Sequence, residues 1–488
     1  MSVFFLLCFL LDVAKNMMVT VSKVITSVIF FAILGCAVNE RENKSSKKTW
    51  LKFGSKTRYQ RKEIPFEAPI GCDPLHISMV IRHGTRYPSK KDVKKIEKML
   101  DVINEEIDSN WSVGDLHLPW KNPFSLDHDK LLASAGEEEL YSLAKEFLKR
   151  FPSLLSHPYH PHNFDFISTG TSRTVQSAMA FAFGLFEGRG RLGASGFQPV
   201  AVESKETNND HLLRFFDVCP MYNVKVADND TALHEHKKFK RGIEMERIGH
   251  KIQRLMTKRP DNPQTTFTAE TIVGMYTACI FEVAIFNREN TWCLLFDKED
   301  FLTLEYLSDL KHYWKRGYGY PITYQIGCPL LGNIVSSLKN ATDPSSSEKK
   351  YGNFMFAHSE TLQPLYALLG LFKDQEKLRA GNMNVHSGRK YRTSEIVPFG
   401  ANIAFVVYSC NADDNSCGKE SDSYKMGPFK IQVFVNEELV ALPCCGEQRE
   451  CPLETFLQCF DTKQNGSCNL SSLCSLESNS TENYHGEL

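Results

Sequence analysis

The stretch R-H-G-T-R-Y-P, residues 82–88, directly follows the apolar run at residues 77–81. The run predicts a buried strand, so the stretch falls at the carboxyl end of that strand, where open α/β sheets place their ligand sites. Gly84 would let the backbone turn sharply and approach an anion, while the guanidiniums of Arg82 and Arg86 match phosphate oxygens. We interpret the stretch as a phosphate-binding turn. The alternative is a surface turn whose arginines pair with carboxylates.

Two further predicted strands end in polar groups of the same kind. The strand at 164–168 leads through Arg173 into a helix, and the free N–H groups at a helix start favour anions. The strand at 353–357 ends at His358 and Glu360. We expect these groups to meet at one edge of the sheet, although a salt bridge on the first helical turn is the alternative role of Arg173. The candidate site residues are Arg82, His83, Arg86, Arg173, His358 and Glu360.

The order of these motifs resembles branch 2 of the histidine phosphatases, and more closely the multiple inositol polyphosphate phosphatases of that branch. The resemblance covers residues 65–460. The segments that carry it are R-H-G-T-R-Y-P at 82–88, L-L-R-F-F-D at 212–217, Y-W-K-R-G-Y-G-Y-P at 313–321 and H-S-E-T at 358–361. The third of these segments is a helix end broken by glycine that could supply further cations to a cleft.

The resemblance implies a role for each candidate residue. His83 would attack phosphorus through a neutral imidazole nitrogen, forming a phosphohistidine that water hydrolyses, and Glu360 would protonate the leaving alkoxide. The non-bridging oxygens would be held by Arg82, Arg86, Arg173 and His358. The surrounding cations would lower the pKa of His83, and a bound phosphate would raise that of Glu360. No metal or cofactor is implied, since arginines take that place.

The third strand end also indicates the substrate. Related acid phosphatases and many phytases have an H-D pair there, whereas His358-Ser359-Glu360 has the spacing of the inositol polyphosphate branch, with Ser359 where alanine is common. The implied activity is removal of phosphates from inositol hexakisphosphate and lower inositol polyphosphates, with 2,3-bisphosphoglycerate as a further substrate. A broad-specificity secreted or lysosomal-type histidine acid phosphatase is the alternative. A non-catalytic lumenal phosphate-binding protein is a more remote one.

Hydrophobic periodicity predicts the architecture that the resemblance also implies, which is an α/β fold with a mostly parallel sheet flanked by helices and a helical insert. Helices are predicted at 91–107, 135–151, 175–186, 234–256, 269–287, 301–314, 330–338 and 362–371, and further strands at 401–408, 429–435 and 439–442. The predicted divisions are a signal region (1–37), a basic N-terminal arm (38–64), an α/β phosphatase core (65–187 and 343–443), a mainly helical insert or cap (188–342) and a Cys-rich glycosylated tail (444–488).

Charge composition limits the possible partners. The chain has 57 Lys and Arg against 58 Asp and Glu, so it lacks the overall positive charge of a nucleic-acid binder, and attraction for anions must be local to a pocket. We expect a small polyphosphorylated substrate and no nucleic acid. The basic arm is interpreted as solvated, with a role in attracting polyanions as the alternative. The histidine-rich segment at 157–162 is interpreted as a loop because prolines interrupt it.

The N-terminus indicates entry into the secretory pathway. The second of two apolar stretches, at residues 24–37, is short for a membrane span and ends in small residues, which favours a signal cleaved near Ala37. Met17 or Met18 is a candidate start, and an uncleaved anchor is the alternative. We expect no stable membrane span after cleavage. The terminal H-G-E-L resembles a lumenal retention signal, so residence in the endoplasmic reticulum lumen and secretion both remain open.

Cysteines and glycosylation sequons support the same compartment. Without Cys8 and Cys36, thirteen cysteines remain, which predicts mostly disulfides with at least one cysteine left over. Cys72 is a candidate for tying down the start of the core. The alternative for the tail is a zinc site built from Cys444, Cys445, Cys451, Cys459, Cys468 and Cys474. Sequons occur at Asn43, Asn110, Asn229, Asn340, Asn465, Asn469 and Asn479.

Overall fold

A computed structural model of the protein describes residues 52–61, 66–257, 267–347, 349–411, 429–460 and 468–476. The predicted signal region, the first part of the basic arm and the terminal H-G-E-L lie outside these residues. The same is true of Cys417 and of the sequons at Asn43, Asn465 and Asn479.

One mixed sheet of eight strands forms the centre of the described protein. The described residues contain ten strands in all, which are β1 (Cys72–Arg82), β2 (Ser112–Val113), β3 (Leu116–His117), β4 (Phe164–Thr169), β5 (Glu203–Lys205), β6 (Gly352–Ala357), β7 (Asn402–Cys410), β8 (Phe429–Val435), β9 (Glu438–Val440) and β10 (Cys451–Pro452). The order in the sheet is β10-β8-β7-β1-β6-β4-β5, with β9 paired to β8, whereas β2 and β3 pair separately. Pairing is parallel from β1 through β6 and β4 to β5, and antiparallel from β1 through β7 to β8.

The parallel half of the sheet explains the apolar runs in the sequence. The last seven residues of β1 and all six residues of β6 are buried, as expected for strands covered on both faces. The predicted α/β fold is confirmed. The sheet also extends past the predicted core, because β5 lies within the range assigned to the insert and pairs with β4.

Helices cover the sheet and make up much of the described part of residues 188–342, the range of the predicted insert. They are α1 (Lys90–Glu106), α2 (Ser134–Arg150), α3 (Pro152–Leu155), α4 (Ser172–Phe186), α5 (Pro220–Tyr222), α6 (His234–Lys240), α7 (Ile243–Met256), α8 (Ala269–Phe286), α9 (Lys298–Arg316), α10 (Ile322–Gln325), α11 (Cys328–Thr342), α12 (Ser359–Leu368), α13 (Thr393–Ile396), α14 (Leu453–Phe460) and α15 (Leu470–Cys474). The single helix predicted at 234–256 is wrong, because Gly242 adopts an extended conformation (φ −88°, ψ 170°) and separates α6 from α7. The segment at 157–162 is a loop, as predicted.

An aromatic cluster holds α4 against β4 and β6. Phe354 of β6 lies 5.0 Å from Phe166 of β4 and 5.2 Å from Phe181 of α4, measured between ring centroids. All three rings are buried, so they anchor α4 by apolar contact and by favourable ring geometry. The packing fixes the start of α4 beside the ends of the two strands.

Helix α8 packs closely on α1. A Cβ atom on Gly274 would lie 2.5 Å from Cβ of Met99, so only glycine permits this approach. Among the described helices, α8 alone is long and apolar enough to cross a membrane, with a mean hydropathy of 1.5, but 67% of it is buried inside the protein. We therefore interpret α8 as a core helix.

The twelve cysteines of the described residues form six disulfides. The pairs are Cys72–Cys410, Cys219–Cys474, Cys279–Cys293, Cys328–Cys468, Cys444–Cys459 and Cys445–Cys451. Cys72 does tie down the start of the core, since its partner lies on the adjacent strand β7. All six tail cysteines are used in disulfides, so the zinc alternative for the tail is wrong.

The described part of the basic arm, residues 52–61, packs against the core. Arg58 lies 3.6 Å from a carboxylate oxygen of Glu139, and Arg61 forms an ion pair with Glu146, both on α2. Arg61 remains exposed, as the solvated interpretation expects, whereas Arg58 is partly buried. The backbone of the arm reaches the end of β1, where the carbonyl of Ser55 accepts a hydrogen bond from Arg82, a candidate site residue.

Gly84 is required for a different reason from the one predicted. A Cβ atom at this position would lie 2.3 Å from the carbonyl oxygen of Gly136, and one on Gly136 would lie 2.2 Å from that of Thr85. The two glycines thus let the turn lie directly on the first turn of α2. The N–H of Gly84 donates to Oγ of Ser177 at 3.1 Å, so it is already engaged within the protein.

We expect Gly136→Ala to destabilise the protein by about 1–3 kcal/mol, because the added methyl group overlaps the backbone of Thr85 and nothing flexible can yield. The matched control is Gly381→Ala, since a Cβ there meets no atom within 4 Å. Thermal unfolding of the two variants and the wild-type protein measures the difference. Equal midpoints for the two variants would contradict this account of the turn.

Candidate active site

Parallel pairing brings three strand ends together, with β6 between β1 and β4. Arg82 is the register partner of Ala357, and the N–H of His83 donates to the carbonyl of Ala357 at 3.0 Å. The rings of His83 and His358 lie 5.6 Å apart between centroids. All six candidate residues, from all three strand ends, line one cavity of about 920 Å³.

His83 is held in the tautomer that a nucleophile requires. Its Nδ1 lies 2.9 Å from the carbonyl oxygen of Gly84, so Nδ1 carries the proton and donates it, which leaves Nε2 with a lone pair. The side chain is 3% exposed. Burial, the largest cause, and the nearby charges of Arg82 and Arg173 hold the pKa of His83 well below its ordinary value. The imidazole is therefore neutral in mildly acidic solution.

Arg82 is fixed by the backbone of two segments that are distant in sequence. Its Nη1 donates to the carbonyl oxygens of Ser55 in the N-terminal arm and of Val397, the latter at 2.6 Å. Its guanidinium carbon lies 4.5 Å from the ring centroid of Phe399. Burial lowers the pKa of Arg82 to about 9. The guanidinium is positively charged, preorganised and adjacent to His83 in the chain.

His358 lies between two arginines. Nη1 of Arg214 is 2.9 Å from Nε2 of His358, and Nη2 of Arg173 is 3.3 Å from Nδ1. A neutral imidazole has one acceptor nitrogen, and the shorter contact assigns that role to Nε2. Nδ1–H and the guanidinium of Arg173 are then two adjacent donors, and a single anionic oxygen at the cavity surface could accept from both.

Glu360 is ionised in the empty cavity. Arg316 donates to Oε1 at 2.9 Å, and the hydroxyl of Ser359 donates to Oε2 at 2.8 Å. Although burial raises the pKa of Glu360, the charge of Arg316 and the hydrogen bond from Ser359 hold this pKa well below its ordinary value. A group that is to donate a proton must first gain one.

The cavity contains more cations than the sequence singled out. Its lining includes twelve Lys and Arg residues against four Asp and Glu residues. Those not among the candidate residues are Lys56, Lys91, Lys95, Lys130, Arg214, Lys240, Lys311, Lys315 and Arg316. Lys315 and Arg316 come from the helix end that was predicted to supply cations. The i, i+4 spacing of Lys91 and Lys95 on α1 was a usable signal, whereas the position of Lys311 depends on the packing of α9.

Comparison with known proteins identifies the family. A profile of the histidine phosphatase superfamily (branch 2) matches residues 75–436. The chain belongs to this branch. Among branch members, multiple inositol polyphosphate phosphatase 1 of Gallus gallus is 33% identical over 403 residues, which cover 79% of this chain and 84% of that protein. The protein of the same name from Homo sapiens is 30% identical over 445 residues, covering 86% and 88%.

Two solved structures share the fold. The phytase from D. castellii has a TM-score of 0.68 at 16% identity, covering 86% of each chain. The Bifidobacterium longum multiple inositol polyphosphate phosphatase, in its complex with inositol hexasulfate, has a TM-score of 0.61 at 16% identity, covering 84% of this chain and 97% of that one. The family and fold predicted from the sequence motifs are confirmed.

We expect Arg214→Gln to weaken binding of inorganic phosphate by roughly tenfold or more, because a charged hydrogen bond contributes about 1.5–3 kcal/mol and the loss also frees His358. The inhibition constant of phosphate in a hydrolysis assay measures the effect. Arg254→Gln, on an exposed position of α7, is the matched control. An unchanged inhibition constant in Arg214→Gln would show that Arg214 has no part in the anion site.

Proposed function

We propose that the protein is a phosphomonoesterase that removes phosphates from inositol hexakisphosphate and lower inositol polyphosphates through a phosphohistidine, with 2,3-bisphosphoglycerate as a further substrate. The observation that carries the proposal is His83 with an unprotonated Nε2 at the base of a cavity whose charged lining is mainly cationic. The two relatives that are 33% and 30% identical are themselves named multiple inositol polyphosphate phosphatases.

In the first step, Nε2 of His83 attacks phosphorus while the bond from phosphorus to the inositol oxygen breaks. Glu360, once protonated, gives its proton to that oxygen, so the leaving group departs as an alcohol. Charge on the transferring phosphoryl group is stabilised by Arg82, Arg86, Arg173, His358 and Arg214. In the second step, the Glu360 carboxylate removes a proton from water, which attacks the phosphohistidine and releases phosphate and neutral His83.

The number of cations supports a substrate with several phosphates. The arginines and histidines around His83 are sufficient for one phosphoryl group, yet Lys56, Lys91, Lys95 and Lys311 line another part of the cavity. Burial, together with the charge of Arg316, lowers the pKa of Lys311 to about 8. Crowded positive charge of this kind is stabilised by a ligand with several anionic groups.

A broad-specificity histidine acid phosphatase is the second candidate. It would use His83 in the same way, and an acid phosphatase of Schizosaccharomyces pombe is 23% identical over 391 residues. The presence of both His83 and Glu360 argues against the third reading, a non-catalytic phosphate-binding protein. Phosphate release from inositol hexakisphosphate and from a simple aryl phosphate separates the three functions: preference for the first supports the proposal, preference for the second supports the acid phosphatase, and release from neither supports the binding protein.

We also propose that the protein acts in the endoplasmic reticulum lumen or is secreted. Six disulfides within the described residues support an oxidising compartment. Sequon residues Asn110 and Asn469 are exposed, as glycosylation requires.

We expect His83→Ala to abolish the acid-labile phosphoenzyme and to lower the turnover of inositol hexakisphosphate by more than about 1,000-fold, because no other group can form the covalent intermediate. Rapid acid-free quenching after addition of radiolabelled substrate detects the intermediate. The control is His162→Ala, an exposed histidine in the 157–162 loop. A phosphoenzyme in His83→Ala would assign the nucleophile elsewhere.

We expect Glu360→Gln to slow hydrolysis of inositol hexakisphosphate by roughly 100- to 10,000-fold while an activated aryl phosphate is hydrolysed at nearly the wild-type rate, because only a poor leaving group needs protonation. The ratio of the two turnover rates is the measurement. Glu138→Gln, at an exposed position of α2, serves as the control. If both substrates slow equally, Glu360 is not the proton donor.

A further inference from the structure

The ion pair between Arg316 and Glu360 opposes the role that the proposed mechanism gives to Glu360. Both carboxylate oxygens accept hydrogen bonds, one from Arg316 at 2.9 Å and one from Ser359 at 2.8 Å. The side chain of Glu360 is nevertheless 32% exposed, so its carboxylate can reach a ligand in the cavity. In this state Glu360 is a carboxylate and has no proton to give.

His312 supports the guanidinium of Arg316, which lines the cavity. Its Nη1 donates to Nδ1 of His312 at 3.2 Å, and Nε2 of His312 lies 3.1 Å from Oγ of Ser55. Burial and the charge of Arg316 keep the pKa of His312 well below its ordinary value, so His312 can accept this bond as a neutral ring. The carbonyl of the same Ser55 accepts from Arg82, so this residue of the N-terminal arm contacts Arg82 directly and Arg316 through His312.

Arg316 is also the last residue of α9, where the chain is firmly packed. Gly317 follows it, and a Cβ atom there would lie 2.5 Å from the hydroxyl of Tyr391. The backbone position of Arg316 is thus fixed by close contact, and a change of partner needs movement of the guanidinium alone. The side chain is 16% exposed, toward a cavity that also holds the phosphate-binding candidates.

We propose that Arg316 is a positioning residue that exchanges partners, bonding Glu360 in the empty site and a substrate phosphate in the occupied site. The inference rests on the proposed function. A phosphate monoester carries about −1.5 to −2 charge at pH 7 and offers three acceptor oxygens, so it competes well with a single carboxylate for a guanidinium. When Arg316 leaves, Glu360 faces the negative phosphate without its strongest cation, and its carboxyl takes up a proton.

The exchange completes a balanced proton cycle. Glu360 takes one proton from solvent as substrate binds, and it gives that proton to the alkoxide oxygen when the Nε2–P bond forms and the P–O bond breaks. The carboxylate then removes a proton from the attacking water. Glu360 returns that proton to solvent when phosphate leaves and Arg316 pairs with it again. Glu360 is thus protonated only while substrate is bound.

Other groups also face Glu360 and have to be separated from Arg316 by experiment. They are His358, Arg82, Arg86, Arg173, His312, Lys315, Asp217 and Tyr222. Lys315 is the useful control, because it lines the same cavity and adjoins Arg316 in sequence. Unlike Arg316, whose guanidinium donates to Glu360, Lys315 donates from its amino group to the carbonyl of Ala227 at 3.2 Å.

The test measures proton uptake on binding of inositol hexasulfate, whose sulfate groups stay ionised throughout the range of the assay. Calorimetric titrations at about pH 5.5, in buffers of different ionisation enthalpy, count the protons taken up by the protein. We expect about one proton per site for the wild-type protein and for Lys315→Gln, and almost none for Glu360→Gln. Arg316→Gln should take up less than about half as much, since its free carboxyl is already partly protonated, and Arg316→Lys should restore the uptake.

Full uptake in Arg316→Gln, or uptake that persists in Glu360→Gln, would overturn the exchange. A purely structural role for Arg316 predicts weaker binding with an unchanged proton count per bound ligand. Hydrolysis of inositol hexakisphosphate by the same wild-type preparation separates this inference from the proposed function. Phosphate release without proton uptake refutes the exchange alone, whereas absence of release refutes the proposed function itself.

Discussion

The parallel pairing of β6 with β1 on one side and with β4 on the other is the constraint on which the rest of the site depends. It places Arg82 beside Ala357 and Ser168 beside Phe356, so the polar residues that follow each strand start from neighbouring points. The aromatic contacts among Phe166, Phe181 and Phe354 hold α4 to the same strands. If this register were lost, no rearrangement of single side chains would bring His83, Arg173 and His358 to one cavity.

Concentrating positive charge at that edge requires compensation from elsewhere in the chain. Neutral backbone groups provide much of it, since carbonyl oxygens of Ser55 and Val397 accept from Arg82 and that of Tyr87 accepts from Arg86. Carbonyls stabilise a guanidinium without cancelling its charge, so the field at His83 remains strongly positive. Burial, followed by this field, holds the pKa of His83 and of His358 well below the ordinary value, so both rings are neutral.

The sequence predicted the strands, most helices and the convergence of six residues, because each of these depends on local periodicity and on one topological rule. It could not assign Arg214 or Lys311 to the cavity, since their positions depend on how the insert packs against the core. Gly84 shows a subtler limit. The need for glycine was visible, but its cause is the backbone of Gly136, about 50 residues away, and contact at such a distance has no local signature. The contacts of the described arm could not be predicted for the same reason, because basic composition does not reveal that Ser55 contacts Arg82 and His312.

The disulfides of the tail have a consequence for biosynthesis. Cys219 lies five residues after Arg214, and its partner Cys474 is close to the end of the chain, as is Cys468, the partner of Cys328. The segment that brings Arg214 to His358 can therefore be covalently secured only after residues 468–474 have been synthesised and these pairs have been oxidised. A chain that is truncated before these cysteines, or that stays reduced, lacks both covalent links.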